Sequence, residues 1–78
     1  MRLPSKVTLY KDSIVSKFPV VLDVIQRAPI KPADLYREKR KLFNDLNEYI
    51  DVLDCLFALG TVEFDEQENL RYVERNQL

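Results

Sequence analysis

A single glycine, Gly60, sits where the hydrophobic period of this 78-residue chain changes, and that coincidence restricts the folds open to it. Before Gly60, Leu46, Tyr49, Ile50, Leu53, Leu56 and Phe57 recur every three or four positions; after it, Val62 and Phe64 alternate with Thr61, Glu63 and Asp65. The first spacing is that of a helix buried on one side, the second that of a strand. Gly60 is suited to closing the helix because it enters the left-handed region without a Cβ penalty. The polar run Glu66-Gln67-Glu68-Asn69 then predicts a turn, and Leu70, Tyr72 and Val73 a returning strand, so the C-terminal part reads as a hairpin.

Two more helices precede it. Ser13 is the expected N-cap of a helix running to about Arg27, with Ile14, Phe18, Val21, Leu22 and Ile25 on one stripe. Pro19 lies inside that span, where it would delete a backbone bond and collide with the preceding turn, so either a kink near Phe18 or a fresh start at Pro19 is expected. Ala28-Pro29 ends the element. Pro32 then suits a first helical position, Asp34 the exposed amides of the first turn, and Ile30 an anchor just before it. Leu35 and Leu42 share the inward side with the stem of Lys39, and Asn44 or Asp45 can cap the helix that continues to Leu59.

Residues 1–12 read as an extended lead-in, because Val7 and Leu9 alternate with polar neighbours as in a short strand. Residues 13–78 are expected to form one domain of the α+β class, three helices followed by a β-hairpin in the order of a winged helix, with room for a short N-terminal strand before it. Its expected core is Ile14, Phe18, Leu22, Ile25, Leu35, Leu42, Leu46, Ile50, Leu53 and Phe57, closed by Val62, Phe64, Leu70 and Tyr72.

Composition removes most chemistry. The chain has no histidine, one cysteine (Cys55) and one glycine, so phosphate-binding glycine loops, a Cys/His zinc cluster and a histidine-activated nucleophile are all without residues to build them. No catalytic role and no cofactor are expected. The longest apolar stretch, Phe18 to Ile25, contains Asp23 and is too short to span a bilayer, and Met1-Arg2-Leu3-Pro4-Ser5-Lys6 lacks the apolar core of a secretory signal. With one lone thiol, a cytoplasmic location is expected.

The net charge of −1 conceals a division: residues 1–41 carry a balance of +6 and residues 42–78 one of −7. The third helix bears Asp45, Glu48, Asp51 and Asp54 and no basic residue between Asn44 and Gly60. Spaced by three, four carboxylates turn progressively around a helix instead of converging on one ion. Such a helix is also repelled by phosphate, which argues against its entering a DNA groove. Phosphate contacts fall instead to Lys31, Arg37, Arg40 and Lys41, with Lys6, Lys11 or Lys17 as further candidates to aid them. A solvated charged face is the ordinary alternative for both groups. A dipolar domain with tyrosines at its boundary suits protein binding, through Glu48, Asp51 and Asp54 with Tyr36 and Tyr72 as anchors. The hairpin edge could equally pair with a second copy, so a homodimer stays open beside a heteromeric assembly.

Leu3-Pro4-Ser5-Lys6 with Tyr10-Lys11, and the segment Tyr49-Ile50-Asp51-Val52-Leu53-Asp54-Cys55-Leu56-Phe57-Ala58-Leu59-Gly60-Thr61-Val62-Glu63, resemble the small middle components of bacterial ABC-type three-component systems over essentially the whole chain. The resemblance implies a non-catalytic accessory subunit, encoded beside an SMC/RecN-like ABC ATPase and a further large component, in systems implicated in defence against phage or plasmids. Any contact with nucleic acid is expected to be indirect. The competing expectation is a dimeric winged-helix DNA-binding transcriptional regulator.

Overall fold

The computed structural model describes residues 6–74. Four helices, α1 (Lys6–Ser16), α2 (Phe18–Arg27), α3 (Pro32–Lys39) and α4 (Leu46–Ala58), precede strands β1 (Val62–Phe64) and β2 (Leu70–Tyr72), with a 3-10 turn at Arg40–Leu42 between α3 and α4. The strands pair antiparallel with Val62 opposite Tyr72, Glu63 opposite Arg71 and Phe64 opposite Leu70. Ile30 bridges to the other edge of β2, its N–H donating to the Leu70 carbonyl at 3.2 Å and its carbonyl accepting from the Leu70 N–H at 2.7 Å. Three helices followed by a hairpin, here α2, α3 and α4 with β1 and β2, make this a winged-helix-like α+β fold, with α1 added in front. Ile30 therefore does more than anchor α3: it adds an isolated antiparallel bridge beside the two-stranded sheet.

Residues 6–12 are not an extended lead-in but the first two turns of α1. Two alternating residues, Val7 and Leu9, are too few to separate a strand from a helix. The spacing that decides is 10, 13, 14 and 17: Tyr10, Ser13 and Lys17 all reach α4, and Ile14 beneath them is buried at 5% exposure. Ser13 consequently lies inside a helix and caps nothing. Residues 1–5, including Leu3, Pro4 and Ser5, lie outside the described residues.

Of the two outcomes expected at Pro19, the chain takes the fresh start. Lys17 alone separates α1 from α2, and Pro19 occupies the first turn of α2, where its missing N–H would have had no intrahelical partner. The Lys17 carbonyl accepts from Val20 N–H at 3.1 Å and Val21 N–H at 3.3 Å, so the new helix is bonded from its first turn. Pro32 opens α3 in the same way, and Asp34 in its first turn pairs with Arg37 at 2.7 Å.

Both ends of α4 are closed by local chemistry. Asp45 is its N-cap and accepts the Glu48 N–H at 2.8 Å. At the other end Gly60 takes φ = 76°, its N–H donating to Phe57 O at 3.0 Å while the Thr61 N–H donates to Leu56 O at 3.0 Å, the paired bonds of a Schellman motif. The hairpin turn is organised by Asp65, whose carboxylate accepts from the Asn69 and Gln67 N–H groups at 2.9 and 2.8 Å. Those bonds, the one from Asn69 foremost, hold its carboxyl below the usual range.

The core is Ile14, Val21, Ile25, Leu35, Phe43, Tyr49, Val52, Leu53, Leu56, Val62 and Leu70. Phe18, Leu22, Phe57 and Tyr72 pack against it half-buried, whereas Leu42, Leu46, Ile50 and Phe64 are exposed, contrary to expectation. The reason for Leu42 is the 3-10 turn: tightening the winding after Lys39 turns Leu42 outward and delivers Phe43 to the core instead. On α4 the covered arc runs through Tyr49, Val52, Leu53 and Leu56, because α1 and the hairpin lie on that side, and Leu46 and Ile50 fall beyond its edge.

Candidate protein-interaction surface

Helices α1 and α4 run antiparallel, a direction fixed by their side-chain register: Tyr10 meets Asp51, and Ser13 and Lys17 meet Glu48. Glu48 is fully buried. Its Oε1 accepts from Asn44 N–H at 2.8 Å and Lys17 Nζ at 3.3 Å, and its Oε2 from Asn44 Nδ2 at 3.1 Å and from the Ser13 hydroxyl. Burial alone would raise its pKa; the bonds from Ser13, Asn44 and Lys17 outweigh it and hold the carboxyl below the ordinary glutamate range. Glu48 is thus removed from the expected interaction surface. It is an internal strut that joins α1, the α2 entry and the start of α4. The Asp45-x-x-Glu48 spacing of a capping box was the available signal for this role, with the carboxylate here reaching back to the amide one residue before the cap.

The acidic row therefore divides by task. Asp45 caps, Glu48 ties the helices, Asp51 is half-buried and accepts the Tyr10 hydroxyl, and Asp54 is exposed with no ion-pair partner among the described residues. Donation to Asp51, followed by partial desolvation and the nearby carboxylates, pushes the Tyr10 phenol up to about 12. The outward face of α4 consists of Leu46, Asn47, Ile50 and Asp54 with Asp51 at its side, an apolar and anionic surface without a cation.

Tyr36 and Tyr72 are both half-buried. Tyr36 stacks on Tyr49 at a ring separation of 4.9 Å, and Phe43 closes the trio edge-on to Tyr49 at 5.1 Å. The Tyr49 hydroxyl donates to the Pro32 carbonyl at 2.6 Å, and burial raises its pKa. Tyr72 packs on the core from β2. Each anchor candidate is thus only partly exposed to solvent.

The basic candidates do not assemble into one cluster. Lys31, just before α3, donates to the Gln67 carbonyl in the hairpin turn, and Arg37 is held by Asp34. Arg40 and Lys41 lie at the far end of α3, about 14 Å of helix from Lys31; both are exposed and make no ion pair among the described residues. Among those residues no group of three or more His, Cys, Asp or Glu side chains could hold a metal ion, and no helix is long and apolar enough to cross a membrane.

Compared with known proteins, residues 3–71 match the family model described as ABC-three component (ABC-3C) system Middle Component 7. No curated protein and no solved structure matches the chain.

Proposed function

Because the chain belongs to the Middle Component 7 family of ABC-three component systems, we propose that it is a non-catalytic, cytoplasmic accessory subunit that binds an SMC/RecN-like ABC ATPase and a further component of such a system, acting in defence against phage or plasmids. The observation that carries this reading is the outward face of α4. In a winged helix that reads DNA, the helix before the hairpin enters the major groove and meets phosphates. Here that helix exposes Asp54, half-exposes Asp51 and offers apolar Leu46 and Ile50, a surface repelled by phosphate and complementary to a protein carrying Lys or Arg. Carboxylates of this kind chiefly accelerate encounter and set orientation, and apolar contact supplies most of the affinity; Tyr36 and Tyr72 are the proposed anchors.

Affinity purification of a tagged native copy followed by mass spectrometry tests the reading without assuming a partner. The expected outcome is stoichiometric recovery of an ABC ATPase, reduced by about tenfold or more when Asp51 and Asp54 are both changed to lysine. Recovery of the chain alone with a specific promoter DNA would instead establish the dimeric regulator.

Arg40 and Lys41, exposed and without an ion pair among the described residues, favour an ancillary phosphate contact. Replacing Arg37, Arg40 and Lys41 with glutamine should weaken DNA retention by the assembled complex almost equally across sequences and flatten its salt dependence. A sequence-specific footprint unchanged by the triple substitution would remove these residues from consideration.

A further inference from the structure

Between α1 and α4 lies a groove of about 440 Å³ whose floor is Ile14 and whose walls are Tyr10 and Val15 on one side and Asp51, Asp54 and Cys55 on the other. We propose that this groove receives a basic amphipathic helix of the partner protein, an inference that rests on the subunit reading above and names the kind of segment bound.

Three features select that occupant. The groove is lined mainly by apolar surface, and Val15 is exposed at 57%, so it offers burial to an incoming apolar stripe. Both walls are helices, with their backbone groups bonded internally, which leaves no strand edge for an extended peptide to extend; the ridge of a third helix fits between two others instead. The third feature is charge. Asp54 stands exposed on one wall beside half-buried Asp51, which accepts the Tyr10 hydroxyl. Neither carboxylate makes an ion pair among the described residues, so lysines or arginines flanking the stripe find anionic partners there, Asp54 foremost. Lys11 is the one cation in the lining and lies on the opposite wall, which sets the side on which the basic flank must run. The larger hollow between α2 and the 3-10 turn, lined by Pro19, Leu22, Asp23 and Lys39 among others, holds one charge of each sign and selects no partner by charge.

The test uses the full chain, isotope-labelled for NMR, titrated with a synthetic helical peptide bearing leucines at i, i+3, i+4 and i+7 and lysines on the flanks, and with its glutamate-flanked counterpart. The expected result is amide shifts concentrated at residues 10–15 and 51–55, with the lysine peptide bound about tenfold or more tightly than the glutamate peptide. Val15→Asp, on an exposed position of α1 away from the acidic wall, should abolish binding while leaving the spectrum of the remaining chain folded, and Asp54→Lys should erase the preference for lysine. Shifts mapping elsewhere, no shifts at all, or equal affinity for the two peptides would overturn the proposal. So would the same residues shifting when the protein alone is concentrated, which would assign the groove to a second copy of this chain. In the native complex the two readings separate. If the wild type recovers the ATPase and Val15→Asp with Asp54→Lys recovers it equally well, the groove inference falls and the subunit reading stands. If the wild type recovers no ATPase but the lysine peptide still binds as described, the subunit reading falls and the groove stands as a helix-binding site.

Discussion

Replacing Glu48 with alanine should destabilise the fold by about 3 kcal/mol at neutral pH, near the lower end of the cost of breaking a buried ion pair. The side chain is fully buried, and its removal strands the Asn44 N–H and the Ser13 hydroxyl, while Lys17 keeps partial access to water and so softens the loss. The same group makes stability depend on pH. Its folded pKa is depressed, so the contribution is complete above the unfolded glutamate value, about 4.3, and is lost as pH falls through the folded value. Urea titrations of the parent protein should show stability declining below about pH 5, and Glu48→Gln should decline less over the same interval. Asp65, whose pKa is also lowered, contributes in the same direction from the surface and persists in the variant. Equal acid dependence in parent and Glu48→Gln would show that the strut is not ionised in the way its hydrogen bonds require.

Leu56→Ala is expected to cost about 2 to 5 kcal/mol, the range for a leucine truncated inside a packed core. Leu56 is 1% exposed on the covered side of α4. Because a domain of this size has on the order of 4 to 12 kcal/mol in all, such a loss leaves a large unfolded fraction at moderate temperature. The informative comparison is Leu46→Ala on the same helix: Leu46 is 50% exposed, and its truncation should stay within about 0.5 kcal/mol. Thermal and urea unfolding of the two variants side by side measures the contrast, and equal losses would mean that the covered arc of α4 has been misplaced.

Those two leucines also mark the boundary of what could be read without the fold. The stripe of α4 was legible as helical from its spacing, and both leucines lie within it. Which part of a broad stripe is covered depends on what lies against it, and nothing in residues 44–60 says that α1 arrives from that side. The expected core accordingly included Leu46 and Ile50, at its edge, and omitted Val52. Glu48 shows the same limit with larger consequences. Its periodic position placed it among exposed carboxylates, and only the approach of Ser13 and Lys17 from α1 makes a buried glutamate tolerable there.

The sequence by itself determined most of the punctuation of this protein: Pro32 in a first helical turn, Gly60 in the left-handed region, and the change of period that makes residues 62–72 a hairpin. It narrowed Pro19 to a kink or a fresh start and the cap of α4 to Asn44 or Asp45, and the fold chose the fresh start and Asp45. It also carried the family, through residues that resemble the middle components and lie within the matched span. These features are local, because a cap or a turn is satisfied by backbone groups a few residues away. Only the tertiary structure decided that residues 6–16 are helical, that Phe43 replaces Leu42 in the core, that Glu48 is internal and that Asp51 and Asp54 flank a groove. The helical lead-in, the buried Glu48 and the groove depend on two segments meeting across 30 or more positions of sequence, as Tyr10 does with Asp51 and Ser13 with Glu48, and on the desolvation that follows. The exchange of Leu42 for Phe43 follows instead from the 3-10 turn and the packing of Phe43 on Tyr36 and Tyr49. A hydrophobic period states that a face will be covered; the element that covers it, and the charges buried or left exposed as a result, are set by packing.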